Sequence, residues 1–287
     1  MDIGIGIPNS VPGTTGGQLL EWARRAEAAG FSSLASIGRV DFPGYEELTV
    51  FAAAGAVTER IRFMTNVLLA PTRSAAELAK QAASVDQLTG GRLTLGLAIG
   101  RRATDYEATS RNFDDRGRRF DQQLRDLKTA WAGEPIEAST KPVGPTPVQQ
   151  GGVPLLIGGM TEAAVRRVVE FGAGWTAGGA PPEATRAMIE KVRAAWRDAG
   201  REGEPRIAAL AYFSLGEVTE QSRAYLLDYY EDPMGEMAEV VADSALRSPE
   251  AIRGAIETFS DLGVDELLLD PTVSHPEQVD LLADVVR

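Results

Sequence analysis

Cysteine is absent from this 287-residue chain and histidine occurs once, at His275. The first absence excludes disulfides, thiolate nucleophiles and thiolate metal sites. The second leaves a zinc site to carboxylates almost alone and gives a histidine-based triad one candidate. That candidate lies in "DPTVSHPEQVDLL", followed by Pro276 and Glu277, a setting expected for entry into a helix. Basic clusters are missing as well. With 29 lysines and arginines against 41 acidic residues, the net charge of -12 repels phosphate backbones and anionic lipid, so neither nucleic acid nor membrane is expected as a partner. The opening "MDIGIGIPNS" has no basic stretch followed by a long apolar run, so no signal peptide is expected and a cytoplasmic location is. With nucleophiles and metal ligands this scarce, the demanding chemistry is expected to belong to a cofactor.

What is present is regular. Short apolar runs alternate with amphipathic segments, a pattern that argues for repeated βα units and a parallel sheet. The strand candidates are "IGIGI" (3–7), "SSLASI" (32–37), "IRFMTNVLL" (61–69), "RLTLGLAI" (92–99), "PLLIG" (154–158), "AGWTA" (173–177), "RIAALAYF" (206–213) and "ELLLD" (266–270). Between them, Leu19, Trp22, Ala23 and Ala26 share one helical face, as do Leu78, Ala82 and Val85, and Phe120, Leu124, Leu127 and Trp131. Gly30 stands where the first helix should stop, and Ser248 with Pro249 forms a cap with proline at the first helical position. The expected fold is an α/β TIM (β/α)8 barrel, one domain over residues 1–287. A doubly wound open sheet is the alternative, although the first strand lacks the glycine fingerprint such folds carry. Two connections are long. Residues 133–152, with four prolines, fall on the N-terminal face as an excursion; residues 214–248, containing "LLDYYEDPMGEM", follow the seventh strand and form either a lid or a pair of packing helices.

In such a barrel the site lies at the C-terminal strand ends. The residues there are poor in acid/base pairs and rich in glycine: Gly100 after the fourth run, Gly158, Gly159 and Met160 after the fifth, Gly178 and Gly179 after the sixth, Asp270 after the eighth. Gly158 and Gly159 precede a helix with Thr161 at its start, which makes either an anion site of free N–H groups or a tight strand–helix turn. Within "QLTGGRLTLGLAIGRRATDYEA" (87–108), Gly90 and Gly91 fall on the wrong face and form a turn. Gly96 and Gly100 leave room for a planar ring at the barrel mouth.

These residues resemble the luciferase-like flavin oxidoreductases, TIM barrels that use FMN or the deazaflavin F420. The likeness rests on "AEAAGFSSL" (26–34), the ordered block 59–100, "DYEATSRNFDDRGRRFDQQLRDLKTAW" (105–131), "VPLLIGGMTEAAVRRVVEFGAGW" (153–175) and the closing "HPEQVDLL". The resemblance implies a strand-three bulge with a non-prolyl cis peptide at Asn66–Val67 backing the flavin ring, Ala98 and Gly100 beside it, and a phosphate-binding turn at Gly158, Gly159 and Met160 with Gly178 and Gly179 as its neighbour. Phe42, Tyr45, Tyr106 and Phe113 are expected to wall the substrate pocket.

Departures bear on chemistry. Deazaflavin dehydrogenases of the family tend to have a histidine after strand two and a glutamate after strand four, where this chain has Arg39 and Arg101. Arginine cannot shuttle protons near neutral pH, so these candidates clamp an anion or instead point outward toward Asp41, Asp105 or Glu107. The resemblance implies a small-molecule substrate and either monooxygenation with reduced FMN and dioxygen, the flavin coming from a separate reductase, or hydride transfer with F420. A noncatalytic flavin-binding partner subunit is the alternative. A barrel lyase or aldolase would need a strand-end lysine, and none is present. The family also implies a homodimer, for which "YEELTVFAAAGAV" (45–57) is the expected interface.

Overall fold

A computed structural model of the chain describes residues 1–137 and 139–287, and of residues 232–234 and 236 the backbone alone. Eight parallel strands close into a barrel in sequence order. They are β1 Asp2–Gly6, β2 Ser33–Ser36, β3 Arg62–Leu69, β4 Leu93–Ala98, β5 Leu155–Gly158, β6 Gly174–Thr176, β7 Arg206–Phe213 and β8 Glu266–Pro271, each within one residue of its expected run. The first helices are α1 Gly16–Ala29, α2 Glu47–Gly55, α3 Ala75–Thr89, α4 Thr104–Glu107, α5 Arg116–Trp131 and α6 Glu162–Phe171. Then come α7 Pro182–Asp198, α8 Thr219–Met234, α9 Glu236–Ser244, α10 Pro249–Asp261 and α11 Glu277–Val286. The open doubly wound sheet is thereby excluded.

Local chemistry sets the boundaries. Thr15 and Gln18 form a reciprocal capping box at the start of α1, and Gly30 ends the helix in the left-handed conformation at φ 85°. Ser74, Thr161 and Ser248 each accept a backbone N–H at the starts of α3, α6 and α10. All eleven residues of the three helical stripes are buried. His275 is exposed and its carbonyl accepts from Gln278 N at the entry to α11, in keeping with a role at the helix start.

Alternate strand residues point into the barrel and stack in layers. At the N-terminal end Glu266, 1% exposed, accepts from Ser33 Oγ at 2.6 Å and pairs with Arg206. Above it Ala35, Met64, Leu156, Ala208 and Leu268 form a small apolar layer of their own. Glycine takes inward positions because backbone comes too near for a side chain. A Cβ on Gly174 would lie 1.8 Å from the Arg206 carbonyl oxygen, and one on Gly96 would lie 2.1 Å from that of Thr65. Gly96 therefore seats β4 against β3, which corrects the expectation that it clears space for a ring.

Residues 133–152 lie on the N-terminal face, where the Asp86 carboxylate accepts Val148 N at 2.7 Å and the Gln149 side-chain amide at 2.6 Å. The sixteen-residue α8 and the shorter α9 follow β7. In α2 the apolar residues Leu48, Val50, Phe51 and Ala54 face the chain's own interior, which leaves Thr49, Ala53 and Ala56 outside.

Gly96→Ala is expected to cost about 3 kcal/mol of stability, at the upper end for overpacking. Urea denaturation measures it, and an unchanged midpoint would restore the open-floor reading of this position.

Candidate active site at the barrel mouth

At the C-terminal end the strands present Asn66, Ala98, Gly158, Thr176, Tyr212 and Asp270. The β3–β4 register shifts between Thr65 and Leu68, and the Asn66–Val67 peptide is cis. Thr176 Oγ1 donates to Asn66 Oδ1 at 2.6 Å, which fixes the amide; its Nδ2 is buried and has no hydrogen-bond partner. A Cβ on Gly158 would lie 3.2 Å from Val67 Cγ1 and 3.3 Å from Ala98 Cβ. Asn66, Val67, Ala98 and Gly158 thus form one floor with a spare N–H donor. Gly100, at φ 66°, turns the chain away from β4 over Leu69.

Beside the floor, Gly159 adopts φ 119° and its carbonyl accepts the Trp175 indole N–H at 2.8 Å. Met160 is exposed ahead of α6. Gly178 is left-handed at φ 57° and its carbonyl accepts from Leu210 N, with Gly179 next to it against the Leu210 side chain.

Helix α8 covers this end of the barrel with rings. Tyr230 OH and Tyr212 OH lie 2.6 Å apart, as do Tyr225 OH and Ser10 Oγ, while Tyr229 meets Phe42 edge-on at 5.0 Å. The Tyr229 carbonyl lacks its regular helical donor, because the residue four positions on is Pro233, which has no N–H. Two arginines supply the missing donors: Arg39 Nη1 and Arg102 Nη2 each donate to Tyr229 O at 2.9 Å. Both guanidinium groups also lie over aromatic rings, Arg39 over Phe42 and Tyr229, Arg102 over Tyr229 and Tyr230.

The expected site residues are therefore partly regrouped. Arg39 belongs to the mouth, whereas Arg101 is exposed and its neighbour Arg102 takes the inward position. The carboxylate of Asp105 accepts from Val40 N and Asp41 N, so it does not serve as the outward partner of either arginine. Phe42 joins the tyrosines. Tyr106 and Phe113 form a separate edge-on pair at 5.3 Å, with Tyr106 fully buried and its hydroxyl donating to Ile99 O. Tyr45 is exposed and donates to Thr14 O at 3.1 Å.

Two buried acids carry the electrostatics. Asp270 is 2% exposed, Oδ1 has no hydrogen-bond partner, and burial raises its carboxyl well above the ordinary aspartate range. Glu47 lies against the backbone of Gly38 at the end of β2, and burial pushes it up to about 7 even though Arg73 stands 3.1 Å away. Arg73 is shared with Glu46, which limits what it returns to Glu47. Burial also raises the hydroxyls of Tyr212, Tyr225, Tyr229 and Tyr230, keeping them neutral. Sequence reasoning gave Arg102 and Tyr225 no role of their own; it reached Glu47 only within the expected 45–57 interface, and Tyr229 and Tyr230 only within the stretch expected as a lid or a pair of packing helices. The available signals were an acid opening an apolar helix and a proline inside an aromatic one.

Glu47→Gln is expected to flatten the pH dependence of stability. The folded state holds a proton on Glu47 that the unfolded chain sheds above pH 4.5, so wild-type stability falls by an amount on the order of 3 kcal/mol as pH rises from 4.5 to about 7. Urea unfolding across that window checks it, and equal slopes for the two proteins would refute it.

The chain as a whole is similar to known proteins. An uncharacterised protein of Mycobacterium tuberculosis is 32% identical over 208 residues, 62% of this chain and 71% of that protein. The FMNH(2)-dependent dimethylsulfone monooxygenase of Pseudomonas putida is 26% identical over 220 residues, 73% of this chain and 56% of that one. An F420-dependent secondary alcohol dehydrogenase, solved with an F420-acetone adduct, shares the fold with a TM-score of 0.80 at 18% identity, covering 99% of this chain and 98% of its own. Residues 1–286 match the family described as luciferase-like monooxygenase, and the chain belongs to that family.

Proposed function

We propose that this chain is a flavin-dependent oxidoreductase whose isoalloxazine-type ring rests on the floor of Asn66, Val67, Ala98 and Gly158. The observation that carries the reading is the unpartnered Asn66 Nδ2 beside Val67 and a glycine held by both neighbours, a flat surface with one donor to offer. The buried amide fits a ring that carries acceptor atoms at its edge. Gly158, Gly159 and Met160 at the start of α6, with Gly178 and Gly179 alongside, would take the phosphate tail on backbone N–H groups, a neutral device suited to an acidic chain.

A reduced FMN bound there would supply the two electrons and two protons that take one atom of dioxygen to water while the other enters a small organic substrate; F420 in the same place would supply a hydride. Monooxygenation is the favoured form. The Pseudomonas relative is described as FMNH(2)-dependent, and no histidine or glutamate occupies the dehydrogenase positions, which hold Arg39 and Arg101. The reduced flavin would come from a separate reductase. The noncatalytic alternative has no support in the comparisons.

The chain's own residues then have distinct tasks. The rings of Phe42, Tyr212, Tyr225, Tyr229 and Tyr230 exclude water from the mouth. Arg39 and Arg102 hold α8 in place through Tyr229 O. Glu47 ties the chain after β2 at Gly38 to Arg73 through its buried carboxyl.

Anaerobic fluorescence titration with FMN and F420, each oxidised and reduced, tests the reading. Preference for reduced FMN is the expected result; tight F420 binding with weak FMN binding would make the enzyme a hydride-transfer catalyst, and binding of neither would overturn the proposal. Ala98→Phe fills the floor and is expected to weaken flavin binding at least ~10-fold, roughly 1.4 kcal/mol, with little change in thermal unfolding. Unaltered affinity would move the ring elsewhere.

A further inference from the structure

Asp270 has no structural task that its charge or hydroxyl explains. Its Oδ1 accepts nothing among the described residues, and no ion pair involves it. A buried polar atom left in this state is destabilising, and an aliphatic side chain of similar size would fill the space without that cost. The barrel nevertheless gives up a side chain to accommodate it: a Cβ on Gly6 would lie 2.0 Å from Asp270 Oδ1. The carboxyl sits at the end of β8, opposite Tyr212 in the β7–β8 register. Tyr225, Tyr229 and Tyr230 approach from α8 closely enough to feel its charge. Arg39 and Arg102 donate to Tyr229 O. Among the described residues β1 meets Asp270 with Gly6 and β7 and α8 face it with tyrosines, none of them a cation, and burial raises its carboxyl well above the ordinary aspartate range, which favours the protonated form that can donate.

We propose that Asp270 is a substrate-binding residue whose carboxyl hydroxyl donates a hydrogen bond to an acceptor oxygen of the molecule enclosed beneath the α8 rings. The assignment deepens the flavin-site reading, on which it relies only to place the ligand at the mouth. It fixes orientation: an oxygen-bearing end of the ligand points toward β8, and the remainder lies among rings that favour a planar apolar body. Tyr212 pairs with Tyr230 and Tyr225 with Ser10, whereas Asp270 Oδ1 is buried with no partner among the described residues.

The test uses 1-tetralone, a planar ketone, and tetralin, its hydrocarbon analogue, as probes of the full chain by calorimetry. Wild type is expected to bind 1-tetralone at least tenfold more tightly than tetralin. Asp270→Asn, which keeps a donor, retains the preference; Asp270→Leu abolishes it while still binding tetralin. The wild-type preference declines as pH rises and the carboxyl ionises, and that of Asp270→Asn stays flat, which a merely structural role would not produce. Difference infrared spectroscopy of wild type gives a reading independent of any variant's folding: the protonated carboxyl C=O band shifts when 1-tetralone is added. No preference in wild type, preference retained in Asp270→Leu, or an unmoved carboxyl band on binding would each overturn the assignment. Flavin affinity measured on the same samples separates the two readings: an intact flavin titration with these failures removes only the role of Asp270, and absent flavin binding with the preference intact removes only the flavin.

Discussion

The Tyr229 carbonyl is the joint on which the barrel mouth is assembled. A proline four residues later removes the helix's own donor, and guanidinium groups from the loops after β2 and β4 take its place. In doing so they stack on Phe42, Tyr229 and Tyr230, so one unsatisfied backbone group draws together two cations, three rings and the helix that covers the strand ends. The desolvation of everything below follows from that cover. It raises Asp270, keeps the tyrosine hydroxyls neutral, and leaves the Asn66 Nδ2 buried without a partner.

The barrel itself was legible because its signals are local and repetitive. Strand runs end where glycine or polar residues begin, and the stripes at Leu19, Leu78 and Phe120 recur at helical spacing, so each element declares itself within about a dozen residues. The floor was legible for a different reason: Asn66, Val67, Ala98 and Gly158 lie on consecutive neighbouring strands at matching heights, and resemblance supplied their grouping. The cover was not. Tyr212, Tyr229 and Arg102 are far apart in the chain and meet only through tertiary packing, and the choice between Arg101 and Arg102 depends on which way a short loop turns before α4.

Gly96 illustrates how a correct residue can carry the wrong reason. A glycine in a strand signals close approach, and sequence alone does not say what approaches. Here it is the carbonyl of the adjacent strand. Glu47 shows the reverse: an acid at the start of an apolar helix looks like the solvent edge of an interface, yet the helix rolls its apolar side and this carboxyl inward together against Gly38 and Arg73.

The glycines along the barrel interior have a consequence for how such a protein can diversify. Where Gly96 and Gly174 meet the carbonyls of neighbouring strands, the inner wall is made of main chain, and main chain has no side chain to exchange. At those two points the wall cannot be recut by substitution, and the places left to change are the side chains between them, the loops after the strands and the face of α8.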